Sequence, residues 1–161
     1  MRMMSYNVHF WTDPFFEGNR DGILRVIRVL DPDLLVVQEF SDMRIHDSDV
    51  GVWVFEEMGY YHSVLEAPNL PFLPVLFSKF PLEGVEYFCI GDNRYLVKAA
   101  IRLSDSCCME IIGTHLDVFD DTEMSRLSEL ENLFRYISSH CSSTNIAILG
   151  DFNALRKRDY D

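Results

Sequence analysis

Four short segments of this chain end in residues that can do chemistry. Asn7 follows the stretch that opens at Met3. Gln38-Glu39 ends Leu34–Val37. Thr114-His115-Leu116-Asp117 ends Ile111-Ile112. Asp151 and Asn153 end Ile146–Leu149. Carboxylates, amides and an imidazole are the ligands of a hard cation such as Mg²⁺, with a proton donor at hand. Each segment also has a plainer reading. Glu39 alone is an ordinary turn residue, His115 alone a hydrogen-bonded structural histidine, and Gly-Asp-Phe-Asn a good turn. The conjunction carries the argument, because turn chemistry does not explain four strand ends of the same kind.

The residues need elements to bring them together. Met3–His9 reads as a strand, and Asp13-Pro14 and Gly18-Asn19 mark a loop. Asp21 can cap a helix with the apolar face Ile23, Val26, Ile27 and Leu30, which Asp31-Pro32 stops. Leu34–Val37 is an unbroken apolar run, as in a strand covered on both faces. A second helix fits Val50–Met58, closed by Gly59. Strands fit Tyr60–Leu65, Val75–Ser78, Gly84–Phe88, Tyr95–Leu103 and Cys107–Thr114. A third helix spans Thr122–Ser139, with the stripe Met124, Leu127, Leu130, Phe134 and Ile137, and Asp120 with Glu123 as a capping box. Ile146–Leu149 is the last strand. Mixed order with hairpin-length connections predicts a mixed α+β sheet sandwich with helices on its outer faces. Strands side by side then gather the four polar ends at one rim. Asp151 and His115 are expected to face that rim and not the core.

Composition narrows the function. The chain has 161 residues, 48% of them hydrophobic and 13% aromatic, enough to bury the core of one domain. Its formal net charge of −12 argues against sequence-blind affinity for nucleic acid or acidic lipid. It leaves room for a local site where a metal ion offsets phosphate charge. No apolar run approaches the ~20 residues of a membrane span, and the opening residues lack a secretory pattern. Cys89, Cys107, Cys108 and Cys141 contain no CxxC spacing. They read as free or buried thiols in a reducing, cytoplasmic compartment, with a disulfide framework as the alternative.

The motifs resemble those of the endonuclease/exonuclease/phosphatase superfamily, the deoxyribonuclease I-like proteins. The likeness rests on Met4-Ser5-Tyr6-Asn7-Val8-His9, Asp33-Leu34-Leu35-Val36-Val37-Gln38-Glu39, Gly113-Thr114-His115-Leu116-Asp117 and Ile148-Leu149-Gly150-Asp151-Phe152-Asn153-Ala154, in the family's order. Phe77-Ser78-Lys79-Phe80-Pro81-Leu82 is similar to a further family segment, although Leu73-Pro74-Val75 replaces the usual Gly-Asn-Ala before it. The resemblance implies a four-layer α/β/β/α sandwich and a magnesium-dependent phosphoesterase, with manganese as a substitute. It implies that Glu39 and Asn7 hold the metal and that Asp151 positions or deprotonates the attacking water. Asn153 would orient that water and contact the phosphate, and His115 would act as general acid or phosphate contact. Glu66 would orient His115. Arg94 would face phosphate, though it reads equally well as a surface arginine. The substrate is a phosphoester whose identity stays open: nucleic acid, phosphoinositide or another ester.

Family domains continue to a closing Ser-Asp-His, which has no counterpart after Asn153 here. The expectation is therefore a single, C-terminally incomplete domain over residues 1–161. Its inner faces at Leu34–Val37 and Ile146–Leu149 would be partly open, and it would turn over poorly if at all. The competing reading is a non-catalytic remnant that binds metal or a partner.

Overall fold

The computed structural model describes residues 1–40, 52–64, 72–119 and 122–154. The order is β1 (Met3–Asn7), α1 (Arg20–Leu30), β2 (Leu34–Gln38), α2 (Trp53–Glu57), β3 (Tyr61–His62), β4 (Val75–Ser78), β5 (Glu83–Gly91), β6 (Arg94–Ser104), β7 (Cys107–His115), α3 (Met124–His140) and β8 (Ile146–Asp151). Two four-stranded sheets form, ordered β1-β2-β4-β3 and β5-β6-β7-β8.

The apolar run of β2 explains the layering. Alternate side chains of a strand point to opposite faces. Leu35 and Val37 join Ile23, Leu24, Ile27, Phe55 and Phe77 under α1 and α2. Leu34 and Val36 join Val97, Ala99, Ile101 and Ile111 between the sheets. On the far face of the second sheet, Leu96 and Ile112 pack on Leu133 and Tyr136 of α3. The result is helix, sheet, sheet, helix, as expected. The inner face of Leu34–Val37 is closed, contrary to expectation, because β6 and β7 cover it; on β8 the inner-face residues Ala147 and Leu149 pack against the same core and are half-buried.

Two parallel pairs decide where the strand ends fall. β1 runs parallel to β2, with Asn7 level with Gln38. β8 runs parallel to β7, with His115 level with Asp151. Carboxyl ends of parallel strands form a crevice suited to ligands. β8 packs against β1 and β2, so both pairs open on one rim.

The helix faces correct the sequence reading. α1 buries Ile23, Leu24 and Ile27 and leaves Val26 and Leu30 largely exposed. α3 buries Arg126, Glu129, Leu133 and Tyr136, while Met124, Leu127 and Phe134 are exposed. Its buried face is chosen by charge partners on other elements, which periodicity does not sense. Glu123 stands at the N-cap in left-handed backbone without a capping hydrogen bond. Asp120 lies outside the described residues. All four cysteines are free. Among the described residues no helix is long and apolar enough to cross a membrane.

Candidate active site

The site is built around one amide. Asn7 Nδ2 donates to Glu39 Oε1 and to Asp151 Oδ2, both at 3.1 Å. Its Oδ1 accepts the His9 N–H at 2.9 Å, which turns the chain away from β1. A tight turn over His9–Trp11 follows, anchored by Trp11 Nε1 donating to the Phe40 carbonyl at 2.7 Å. Glu39 takes left-handed backbone, φ +54°, immediately after β2. Its Oε2 is buried and has no partner. The preceding Gln38 plays a different part. It is fully buried and donates to Ser5 Oγ at 3.1 Å, joining β2 to β1.

Asp151 reaches the rim because Gly150 lets β8 come close to β7. A Cβ there would sit 2.4 Å from the Thr114 carbonyl oxygen. Asp151 Oδ1 accepts the Asn153 N–H at 3.0 Å, and Asn153 Nδ2 donates to the Leu116 carbonyl at 2.8 Å. Asn153 thereby ties the end of β8 to the end of β7.

His115 is only 1% exposed, so it is buried beneath the rim and does not face solvent as expected. Its Nε2 lies 3.8 Å from Glu39 Oε1. Burial, and then the Arg94 guanidinium, hold the imidazole down at about 4, so it is neutral at pH 7. Arg94 is no surface residue: it is 2% exposed. Its guanidinium lies over the Phe72 ring at 4.9 Å and pairs with Asp117 Oδ2 at 3.8 Å, while Nη1 has no partner.

Behind Arg94 stands a network that sequence reasoning missed. Glu129 Oε2 accepts the Asp117 N–H at 2.8 Å, and Arg126 Nη1 donates to the Asp117 carbonyl at 3.0 Å. Burial pushes the Glu129 carboxyl above its usual range. Asp117 was visible two residues after His115, but nothing local marks Glu129 or Arg126. Left-handed non-glycine backbone also gathers here, at His9, Phe10, Trp11, Phe16, Glu39, Phe72 and Asn153. Such backbone costs of order 1 kcal/mol per residue and concentrates at functional sites. Glu66 lies outside the described residues.

A hard cation fits this set. Two carboxylates share one amide, and the bare, buried Glu39 Oε2 is costly without a positive partner. Among the described residues no three His, Cys, Asp or Glu side chains gather into a closed cage.

No protein-family model matches the sequence, and no curated protein does. Solved structures do. The human Nocturnin catalytic domain, holding a sulfate anion, aligns at TM-score 0.69 and 20% identity, over 96% of this chain and 65% of that one. ANGEL2, a 2',3'-cyclic phosphatase bound to adenosine-2',3'-vanadate, aligns at 0.69 and 20%, over 85% and 44%. D. rerio TDP2 complexed with a single-stranded DNA product aligns at 0.73 and 15%, over 97% and 62%. The chain thus spans less than two thirds of each of these proteins. The layered sheets and the rim motifs agree with these alignments: the chain has the fold of the endonuclease/exonuclease/phosphatase superfamily, the deoxyribonuclease I-like sandwich.

Proposed function

We propose that this rim is the site of a magnesium-dependent phosphoesterase, with manganese as a substitute, in which water displaces an alcohol from a phosphodiester or phosphomonoester. One observation carries the reading. Asn7 holds Glu39 and Asp151 together across the two sheets and leaves Glu39 Oε2 bare and buried. The named neighbours support it: ANGEL2 is a 2',3'-cyclic phosphatase and TDP2 is seen with a DNA product.

Glu39 and Asn7 would hold the metal. When bound, magnesium supplies charge that polarises a phosphoryl oxygen and steadies the leaving oxygen. The chain's own residues do the rest. Asp151 accepts a proton from the attacking water as the new P–O bond forms. Asn153 keeps that carboxylate oriented through its backbone N–H. His115 is neutral and offers its ring N–H to an oxygen of the phosphate or leaving group. Arg94, its Nη1 bare, faces the phosphate charge. The four free cysteines suit a reducing, intracellular setting.

Two measurements on the purified protein test this. Calorimetry is expected to show magnesium binding that Glu39→Gln abolishes. Any hydrolysis of a chromogenic phosphodiester is expected to vanish in excess EDTA. Hydrolysis that survives EDTA, or binding untouched by Glu39→Gln, overturns the reading. Magnesium binding with no hydrolysis leaves a metal-binding module, the alternative.

A further inference from the structure

On both outer helices, apolar residues with the period of a core stripe stay in water. The outward ridge of α3 is Met124, Leu127, Glu131 and Phe134, with the alternating three- and four-residue spacing of a helix seam. Met124 is 66%, Leu127 54% and Phe134 56% exposed. The outward ridge of α1 is Gly22, Arg25, Val26 and Val29, on the face opposite Ile23, Leu24 and Ile27. Val29 is 73% exposed, and Arg25, Val26, Val29 and Leu30 line a shallow depression of about 420 Å³.

The two ridges lie on opposite outer faces of the sandwich, since α1 covers the first sheet and α3 the second. They match each other in one antiparallel register. With Arg25 beside Glu131, Asp21 falls beside Arg135, Gly22 beside Phe134 and Val29 beside Leu127. Both charge pairs are then of opposite sign. Gly22 leaves a notch for the Phe134 ring, and Leu127 meets the depression at Val29. The four charged residues are exposed, and among the described residues none of them enters an ion pair. Arg135 Nη1 donates to Asn132 Oδ1 of its own helix at 3.0 Å. Like-with-like pairings lack this match. α1 against α1 brings the arginines Arg25 and Arg28 of both copies together, and α3 against α3 centred on Glu131 sets that carboxylate against its own copy.

We infer that α1 of one copy of this chain docks antiparallel on α3 of a second copy, head to tail. A net charge of −12 opposes any meeting of two copies. Burial of Val29, Leu127 and Phe134 therefore supplies the attraction, and the two charge pairs choose the faces and the direction. Each contact leaves a free α1 at one end and a free α3 at the other, so assembly continues into a ring or an open stack. α1 is about 16 Å long, so the contact is one short helix pair and the association is of the weak, transient class. Neither ridge carries a residue assigned to metal or phosphate, so the docking is independent of the phosphoesterase reading.

The test is sedimentation velocity of the purified protein in EDTA across a range of concentrations. The average mass is expected to rise with concentration past that of a dimer. Val29→Glu and Phe134→Glu each put a carboxylate into the seam and are each expected to weaken association at least roughly tenfold. The first variant keeps an intact α3 and the second an intact α1, so an equal mixture is expected to form dimers that grow no further. Arg25→Glu and Glu131→Arg are each expected to weaken association roughly three- to tenfold. The chain carrying both has the net charge of wild type and is expected to regain it. All four positions are exposed, so the variants keep their fold, which thermal melts check. A wild type that stays monomeric at every soluble concentration overturns the inference. So does a mass that levels off at the dimer, which marks a contact of one face with its own copy. Association that Val29→Glu and Phe134→Glu both retain places the contact elsewhere, as at the sheet edges, and overturns it too.

Discussion

Asn7 and Asp151 are 144 residues apart and belong to different sheets, yet the Asn7 amide donates to the Asp151 carboxylate at 3.1 Å. The bond joins the end of β1 to the end of β8. The same Nδ2 also holds Glu39 at 3.1 Å, so the alignment of the sheets and the spacing of the two carboxylates are one geometric fact. Like charges in a half-buried site repel, and the shared donor offsets that repulsion.

Asn7→Asp replaces this donor with a third carboxylate. Leaving buried acceptors unsatisfied costs about 1–3 kcal/mol. At this chain length each kcal/mol lowers the melting temperature by roughly 2–4 °C. The variant should therefore melt several degrees below wild type in EDTA. Magnesium should restore more of the loss than it adds to wild type, because it neutralises the added charge. Equal melting in EDTA means that Asn7 bridges nothing of consequence in solution.

Asp151→Asn and His115→Ala separate chemistry from support. Asp151 is partly exposed at the rim, and its exchange removes a proton acceptor while keeping its volume. The turnover of the active protein should fall ~10²–10⁴-fold, with a change of only a few degrees in melting. His115 is buried, so its removal leaves a hole as well as a missing N–H, and both rate and melting temperature should fall. Kinetics and melts on the same preparations decide it. Normal turnover by folded Asp151→Asn enzyme makes the carboxylate structural.

The rim was legible in the sequence because strands announce their ends. Leu34–Val37 is apolar at every position, which only a strand packed on both faces tolerates, and Glu39 comes directly after it. Gly113 and Gly150 belong to the same pattern. A Cβ at Gly113 would lie 2.8 Å from Val97 Cγ1 and 2.9 Å from Val36 Cγ1, so that glycine lets the sheets approach. The face of α3 was not legible. Met124, Leu127 and Phe134 have the right period and are exposed, while Arg126 and Glu129 are buried beneath Asp117 and Arg94. Their partner Asp117 stands 9 and 12 residues away, outside the helix, and the three- and four-residue spacing of a stripe does not register it. The surface reading of Arg94 fails because its cover comes from Phe72 and Phe119, more than twenty residues away on either side.

Glu129 makes that distant network testable by pH. It is 3% exposed, and burial, the largest influence, raises its carboxyl above the ordinary 4.5. The Asp117 N–H, Arg94 and Arg126 pull the other way, and the Asp117 carboxylate adds to the rise. The sign follows from linkage. A group whose folded pKa exceeds its unfolded one gives stability below the unfolded value and loses it as pH rises through the folded value. Glu129→Gln fixes the neutral form and keeps an oxygen to accept the Asp117 N–H. The variant should melt close to wild type near the ordinary carboxyl pKa and gain on it as pH rises toward neutrality. Melting curves of both proteins across that range measure the gap. A gap that shrinks with rising pH shows that attraction to Arg94 and Arg126 outweighs burial. Glu129 would then act as a charged partner of the site's arginine, and not as the neutral prop beneath Asp117.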